Sequence, residues 1–221
     1  FNDSTGQGDM GEIDTKGPWN EGETWQVVDA PAFKEARGMN GEAEIRSEAS
    51  QASDADAIRE LLIDQMRDLL HAEKQLVKAL PKMAKAAQSE QLVRLIEHHL
   101  TETETQVERL TEGLKMLDAV ARAKPCKGMM GLLEEGDEVM REGKKMEPAG
   151  ADLALIGSAQ KVEHYEMAGY ITARNLAQQL QMPGLVQLLQ LSLAEEENAD
   201  QLLNQLARPL MSAARMPEPV A

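Results

Sequence analysis

Residues 159–170 read Ala-Gln-Lys-Val-Glu-His-Tyr-Glu-Met-Ala-Gly-Tyr. Taken in alternating steps of four and three, this run gives Ala159, Glu163, Glu166 and Tyr170. The same spacing extends outward to Ile156 on one side and to Ala173, Ala177 and Leu180 on the other. Such a stripe is the inward seam of a helix packed in a bundle. It is interrupted only near its middle, by two glutamates one turn apart.

Three further segments carry the same frame. The first reads Leu62, Met66, Leu69, Glu73, Leu76, Leu80, Met83 and Ala87; the second reads Leu92, Ile96, His99, Thr103, Gln106 and Leu110, with Glu102 beside Thr103. The last reads Leu189, Leu193, Glu196, Asp200, Leu203 and Ala207. The periodicity predicts long helices over 55–88, 89–120, 150–181 and 184–210, built largely from Ala, Leu, Glu, Gln, Lys and Met. Ser53 and Asp54 are candidate caps for the first, and Pro183-Gly184 separates the last two. A shorter helix over 129–144 lies in the connection between the second and third. Two hairpins joined by a long crossover form an all-α, ferritin-like four-helix bundle.

The polar interruptions all fall near the middle of their helices. At about 1.5 Å of rise per residue they can share one layer of the bundle. Glu73, Glu102, Glu163, Glu166, Glu196 and Asp200 would then surround one point, with His99 and Gln106 close by. Buried carboxylates without partners are costly, and no Lys or Arg occupies a core position to balance them. Either several acids are protonated, forming a polar layer that fixes helix register, or a multivalent cation compensates them. The cation is the simpler answer.

The rest of the composition bounds the function. The chain has 221 residues, a net charge of -15 and a single cysteine, Cys126, which excludes an internal disulfide. An acidic surface disfavours nucleic acid and anionic membranes as partners. No apolar run approaches the ~20 residues of a membrane span, and no basic segment followed by an apolar one opens the chain. A cytoplasmic location is the expectation. Residues 1–53 hold seven of the 16 glycines and both Trp, and are expected to be extended or disordered, or to dock a protein partner. Residues 54–210 form the bundle and 211–221 a tail. His71, His98 and His164 fall off the stripes and read as surface or interface residues. Cys126, in a loop rich in Gly and Lys, reads as incidental.

Several stretches resemble the YciE/YciF family of ferritin-like stress proteins. They are His71-Ala72-Glu73-Lys74-Gln75-Leu76, Lys78-Ala79-Leu80-Pro81-Lys82-Met83-Ala84, His99-Leu100-Thr101-Glu102-Thr103, Val162-Glu163-His164-Tyr165-Glu166, and Glu195-Glu196 with Asp200. The resemblance covers about residues 55–207 and leaves the N-terminal segment out. It implies a four-helix bundle with a dinuclear carboxylate centre of Fe or Mn, usually in a homodimer, associated with stress responses. On the ferritin-like template, Glu73, Glu102, Glu163, Glu166 and Glu196 match the carboxylate ligands. The position four residues after Glu196, where such sites place a His, holds Asp200. Two departures stand out. The Glu-x-x-His of the second helix is absent, since Thr105 follows Glu102 and His99 precedes it, and the fourth helix has no histidine. Such a donor set is rich in oxygen and suits Mn, Mg or Ca as well as Fe.

Two functions follow as expectations. One is a redox metalloprotein turning over peroxide or oxygen, with His99 as a ligand or orienting one, and Gln106 and Tyr170 bonded behind the ligands. The other is a non-catalytic, metal-stabilised structural or assembly protein whose N-terminal segment docks a partner.

Overall fold

The computed structural model describes the backbone of residues 40–213 and the side chains of residues 54–212. The chain divides between Glu44 and Ile45, and the helical bundle belongs to the second unit. The helices are α1 (Asn40–Ala86), α2 (Glu90–Met116), α3 (Lys127–Gly143), α4 (Pro148–Gln179) and α5 (Pro183–Ala213). There is no strand among the described residues. The bundle expected from the heptad frames is present, with α3 as the short helix of the crossover.

Helix boundaries differ from the sequence expectation in ways that local chemistry explains. α1 starts at Asn40 and runs past Ser53 and Asp54, so these are not its caps. Residues 42–52 are mostly Ala, Glu, Ser and Gln, and the Ala, Glu and Gln among them favour a helix once separated from the Gly-rich stretch before them. The expectation for residues 1–39, and the docking segment within them, lies outside the described residues. α2 ends at Met116 rather than near 120, and Asp118 follows in a left-handed conformation with φ 48°. α4 begins two residues early because Pro148 suits the first helical position, where no intrahelical N–H partner is needed. α5 likewise opens on Pro183 and continues into the expected tail as far as Ala213.

The stripes face the core as expected. Leu62, Met66, Leu69, Leu110, Tyr170, Ala173, Leu185, Leu189 and Leu193 belong to one buried apolar cluster. Leu76, Leu80, Leu92, Ile96, Leu155, Ile156, Ala159, Leu203 and Ala207 belong to a second. Removing each such Leu from water contributes about 1.5–3 kcal/mol. The polar interruptions of the stripes fall between these two clusters, so the bundle has two dry halves and one polar layer.

The turn between α1 and α2 shows how this fold treats a buried acid with a structural role. Asp152 of α4 is 1% exposed and accepts the backbone N–H groups of Gln88 (2.7 Å) and Ser89 (2.9 Å). Ser89 then caps α2 by accepting from the N–H of Leu92. Both Asp152 oxygens are thereby satisfied, and the carboxylate ties one hairpin to the other.

Candidate metal centre

Each long helix contributes to the polar layer. α1 supplies Glu73, α2 supplies His99, Thr103 and Gln106, α4 supplies Glu163, Glu166 and Tyr170, and α5 supplies Glu196; all are buried. One donor atom from each of His99, Glu163, Glu166 and Glu196 can be chosen so that all lie within 4.8 Å of one another. His99 Nε2 stands 3.5 Å from Glu163 Oε2 and 3.7 Å from Glu196 Oε2, and its Nδ1 stands 3.5 Å from Glu102 Oε2. None of these contacts has hydrogen-bond geometry.

Hydrogen bonds orient the acids from outside. The Tyr170 hydroxyl donates to Glu73 Oε1. Gln106 Nε2 donates to Glu196 Oε1 (2.5 Å) and to Glu195 Oε2 (3.1 Å). Arg109 then holds Glu195 with both terminal nitrogens, at 2.5 and 2.8 Å. This Arg–Glu–Gln chain fixes Glu196 without delivering a positive charge into the layer. Thr103 turns its hydroxyl back onto the His99 carbonyl at 2.9 Å and so leaves the layer's acids alone.

The inward side of the same groups has no partners. Glu73 Oε2, Glu163 Oε2, both Glu166 oxygens, Glu196 Oε2 and both ring nitrogens of His99 are buried without a hydrogen bond. In folded proteins such atoms are rare, because an unmade bond leaves the desolvation cost uncompensated. Asp152, equally buried and fully bonded, shows that this is a property of the layer and not of acids in this fold.

Electrostatics agrees with the geometry. Burial pushes the Glu163 carboxyl up to about 8, opposed by the neighbouring Glu196 and helped by the charges of Glu73 and Asp200. Burial likewise holds Glu73, Glu166 and Glu196 well above the usual carboxylate range, with charge from neighbouring glutamates adding to it. Tyr170 is raised by burial and then by Glu73. His99 moves the other way from a typical buried imidazole. Burial opposes its charged form, but Glu102, Glu196 and Glu73 outweigh that and raise its pKa. Neutral acids and a charged imidazole are the ways the protein alone can carry this layer.

Six acids around one point is more than the structure shows. Glu102 and Asp200 sit at the edge, with side chains 17% and 16% exposed. Glu102 is one residue off the α2 stripe, and a one-residue step turns about 100° around a helix. It contacts exposed His98 at 3.3 Å. Asp200 is on the α5 stripe but accepts from Gln160 (2.8 Å) and Asn204 (3.2 Å) and contacts His164 (3.5 Å). His98 and His164 are exposed, as their off-stripe positions implied. Cys126 is not a loose loop thiol. It is buried, caps α3 by accepting from the Met129 N–H, and lies 2.9 Å from the Tyr165 hydroxyl. The Arg109–Glu195 pair escaped the sequence reading because neither residue lies on a stripe.

The model of a domain of unknown function, DUF892, matches residues 57–215. The chain belongs to the DUF892 family. Protein YciF of Escherichia coli K12 is 41% identical over 152 residues, covering 68% of this chain and 90% of that relative. The crystal structure of the E. coli stress protein YciF matches with TM-score 0.67 and 37% identity, over 70% of this chain and 97% of the other. YcfI of Rhodopseudomonas palustris matches with TM-score 0.63 and 36% identity, over 66% and 92%. A ferritin-like, diiron-carboxylate protein of Bacillus anthracis Ames matches with TM-score 0.53 and 18% identity, over 68% and 97%. That last likeness concerns the fold, and it agrees with the ferritin-like bundle of this DUF892 member. The YciF likeness bears out the family read from the Val162–Glu166 run.

Proposed function

We propose that this DUF892 protein is a ferritin-like metalloprotein that holds Fe or Mn, as a pair of ions, in the polar layer of its bundle. The observation that carries the reading is the set of buried, unpartnered donor atoms on Glu73, His99, Glu163, Glu166 and Glu196. Donor atoms of His99, Glu163, Glu166 and Glu196 lie within 4.8 Å of one another, as a cation site requires, and Glu73 Oε2 is a further unpartnered donor in the layer. Glu102 and Asp200 stand at the edge as further oxygen donors. One imidazole among several carboxylates suits Fe or Mn, because nitrogen favours transition ions and oxygen favours hard ones. The likeness to a diiron-carboxylate fold points the same way.

Bound Fe or Mn would supply one-electron redox chemistry on peroxide or oxygen. The chain's own residues supply the rest. Gln106 and Tyr170 orient Glu196 and Glu73 from behind, and the two apolar clusters keep bulk water from the layer. Charged carboxylates become tolerable only when the cation balances them. In the same reading the bundle pairs as a homodimer, to be checked by light scattering.

Metal analysis by mass spectrometry, on protein purified without added metal, tests this against a Glu73→Ala/Glu166→Ala variant. About two Fe or Mn per chain in the natural protein, lost in the variant, is expected for a dinuclear site. No stoichiometric metal, even after reconstitution, would leave the acids as a protonated register layer. A second reading, a metal-stabilised protein without turnover, is favoured by how completely the layer is buried. It is separated by assaying peroxide consumption of the metal-loaded protein.

A further inference from the structure

A cavity of about 250 Å³ opens beside the layer, lined by α1, α3 and α4. Its walls are apolar: Leu76, Leu80, Leu133, Met140, Leu155 and Val162 all line it. Its lining reaches Glu163, which is 3% exposed and whose Oε2 has no hydrogen bond. Lys78 and Lys82, both exposed and one turn apart on α1, also line it. Neither makes an ion pair among the described residues. Asp137 is the one acid on the exposed part of the lining. The lining thus includes both an exposed part with two lysines and a buried part at Glu163.

This shape and polarity select a ligand class. The volume is below the ~300–1,000 Å³ of pockets that take drug-sized molecules, and so suits a small ligand. Apolar walls reward an aliphatic chain. Two unpaired ammonium groups against one carboxylate favour an anionic head. We propose that the cavity binds a small aliphatic carboxylate, its head group on Lys78 and Lys82 and its chain among the apolar walls. The proposal goes beyond the metal reading and does not rest on it, because none of its contacts is made by a metal.

The test is calorimetric titration of the full chain with octanoate and with 1-octanol, each with and without a chelator. Saturable octanoate binding at one site per chain, unchanged by the chelator, is expected. The exposed-site variant Lys78→Glu/Lys82→Glu should weaken octanoate about tenfold while leaving 1-octanol within about twofold. Leu133→Trp, which fills the cavity, should weaken both about tenfold. Absence of saturable binding overturns the proposal. Octanoate binding that persists at full strength in both variants also overturns it, as does binding that requires metal, since the carboxylate would then be a metal ligand. Failure of the metal site alone leaves binding to the chelated protein intact, so the two readings fail separately.

Discussion

Replacing Glu163 by Gln is expected to stabilise the metal-free protein, but only where the acid would otherwise ionise. In the folded chain burial raises the Glu163 carboxyl from an ordinary 4.5 to about 8. Below pH 4.5 it is protonated in both folded and unfolded states and contributes nothing. Between 4.5 and 8 the unfolded chain releases a proton that the folded one keeps, so stability falls as pH rises. With about 1.36 kcal/mol per pKa unit, the accumulated cost is about 4 kcal/mol at pH 8 and under about 1 kcal/mol at pH 5. A glutamine has nearly the same shape and does not titrate. At roughly 2–4 °C per kcal/mol for a chain of this length, the variant should melt about 10 °C higher at pH 8. At pH 5 the two should agree within about 3 °C. Thermal melts by circular dichroism on chelator-treated protein, at both pH values, provide the check. Equal melting at pH 8, or a natural protein that gains on the variant as pH rises, would refute the burial argument. Adding Mn or Fe should reverse the order, because a cation stabilises the charged acid.

Other residues give independent expectations. Tyr170→Phe removes the hydrogen bond to Glu73 Oε1, adds another unpartnered buried oxygen, and should cost about 1–3 kcal/mol in the metal-free protein, read by denaturant unfolding. The same change should weaken metal binding about 10–100-fold, as loss of a ligand's orienting partner does, read by competitive chelation. Asp152→Ala leaves the N–H groups of Gln88 and Ser89 unpaired and should cost about 1–3 kcal/mol per group. Its metal stoichiometry should stay unchanged, which separates a structural buried acid from those of the centre. Burial raises the Cys126 thiol, so alkylation by iodoacetamide at pH 8 should be slow in the folded protein and become fast on unfolding in urea.

The stripes are legible because a helix seam tolerates few polar residues, so each exception carries information. Glu73, His99, Gln106, Glu163, Glu166, Tyr170 and Glu196 all lie buried where the heptad frame places them. Glu102 and Asp200 are harder to place. The frame gives the face of a helix but neither a side chain's local hydrogen bonds nor its depth, and those draw both acids to the edge. The start of α1 is hidden because composition averaged over 53 residues masks a short helix-favouring run. Cys126 and Tyr165 meet across 39 residues of sequence, and no periodicity links a crossover loop to a helix face. Arg109 and Glu195 sit beside the stripes, where one sequence cannot distinguish a solvated charge from a buried bond.

The most direct test of the central reading is anomalous diffraction from a crystal of the protein purified without added metal, collected above and below the Fe and Mn absorption edges. Anomalous peaks of Fe or Mn enclosed by Glu73, His99, Glu163, Glu166 and Glu196 are the expected result. A metal-loaded crystal with its only anomalous peaks on the surface, and the layer's carboxylates bonded to one another through protons and water, would contradict it.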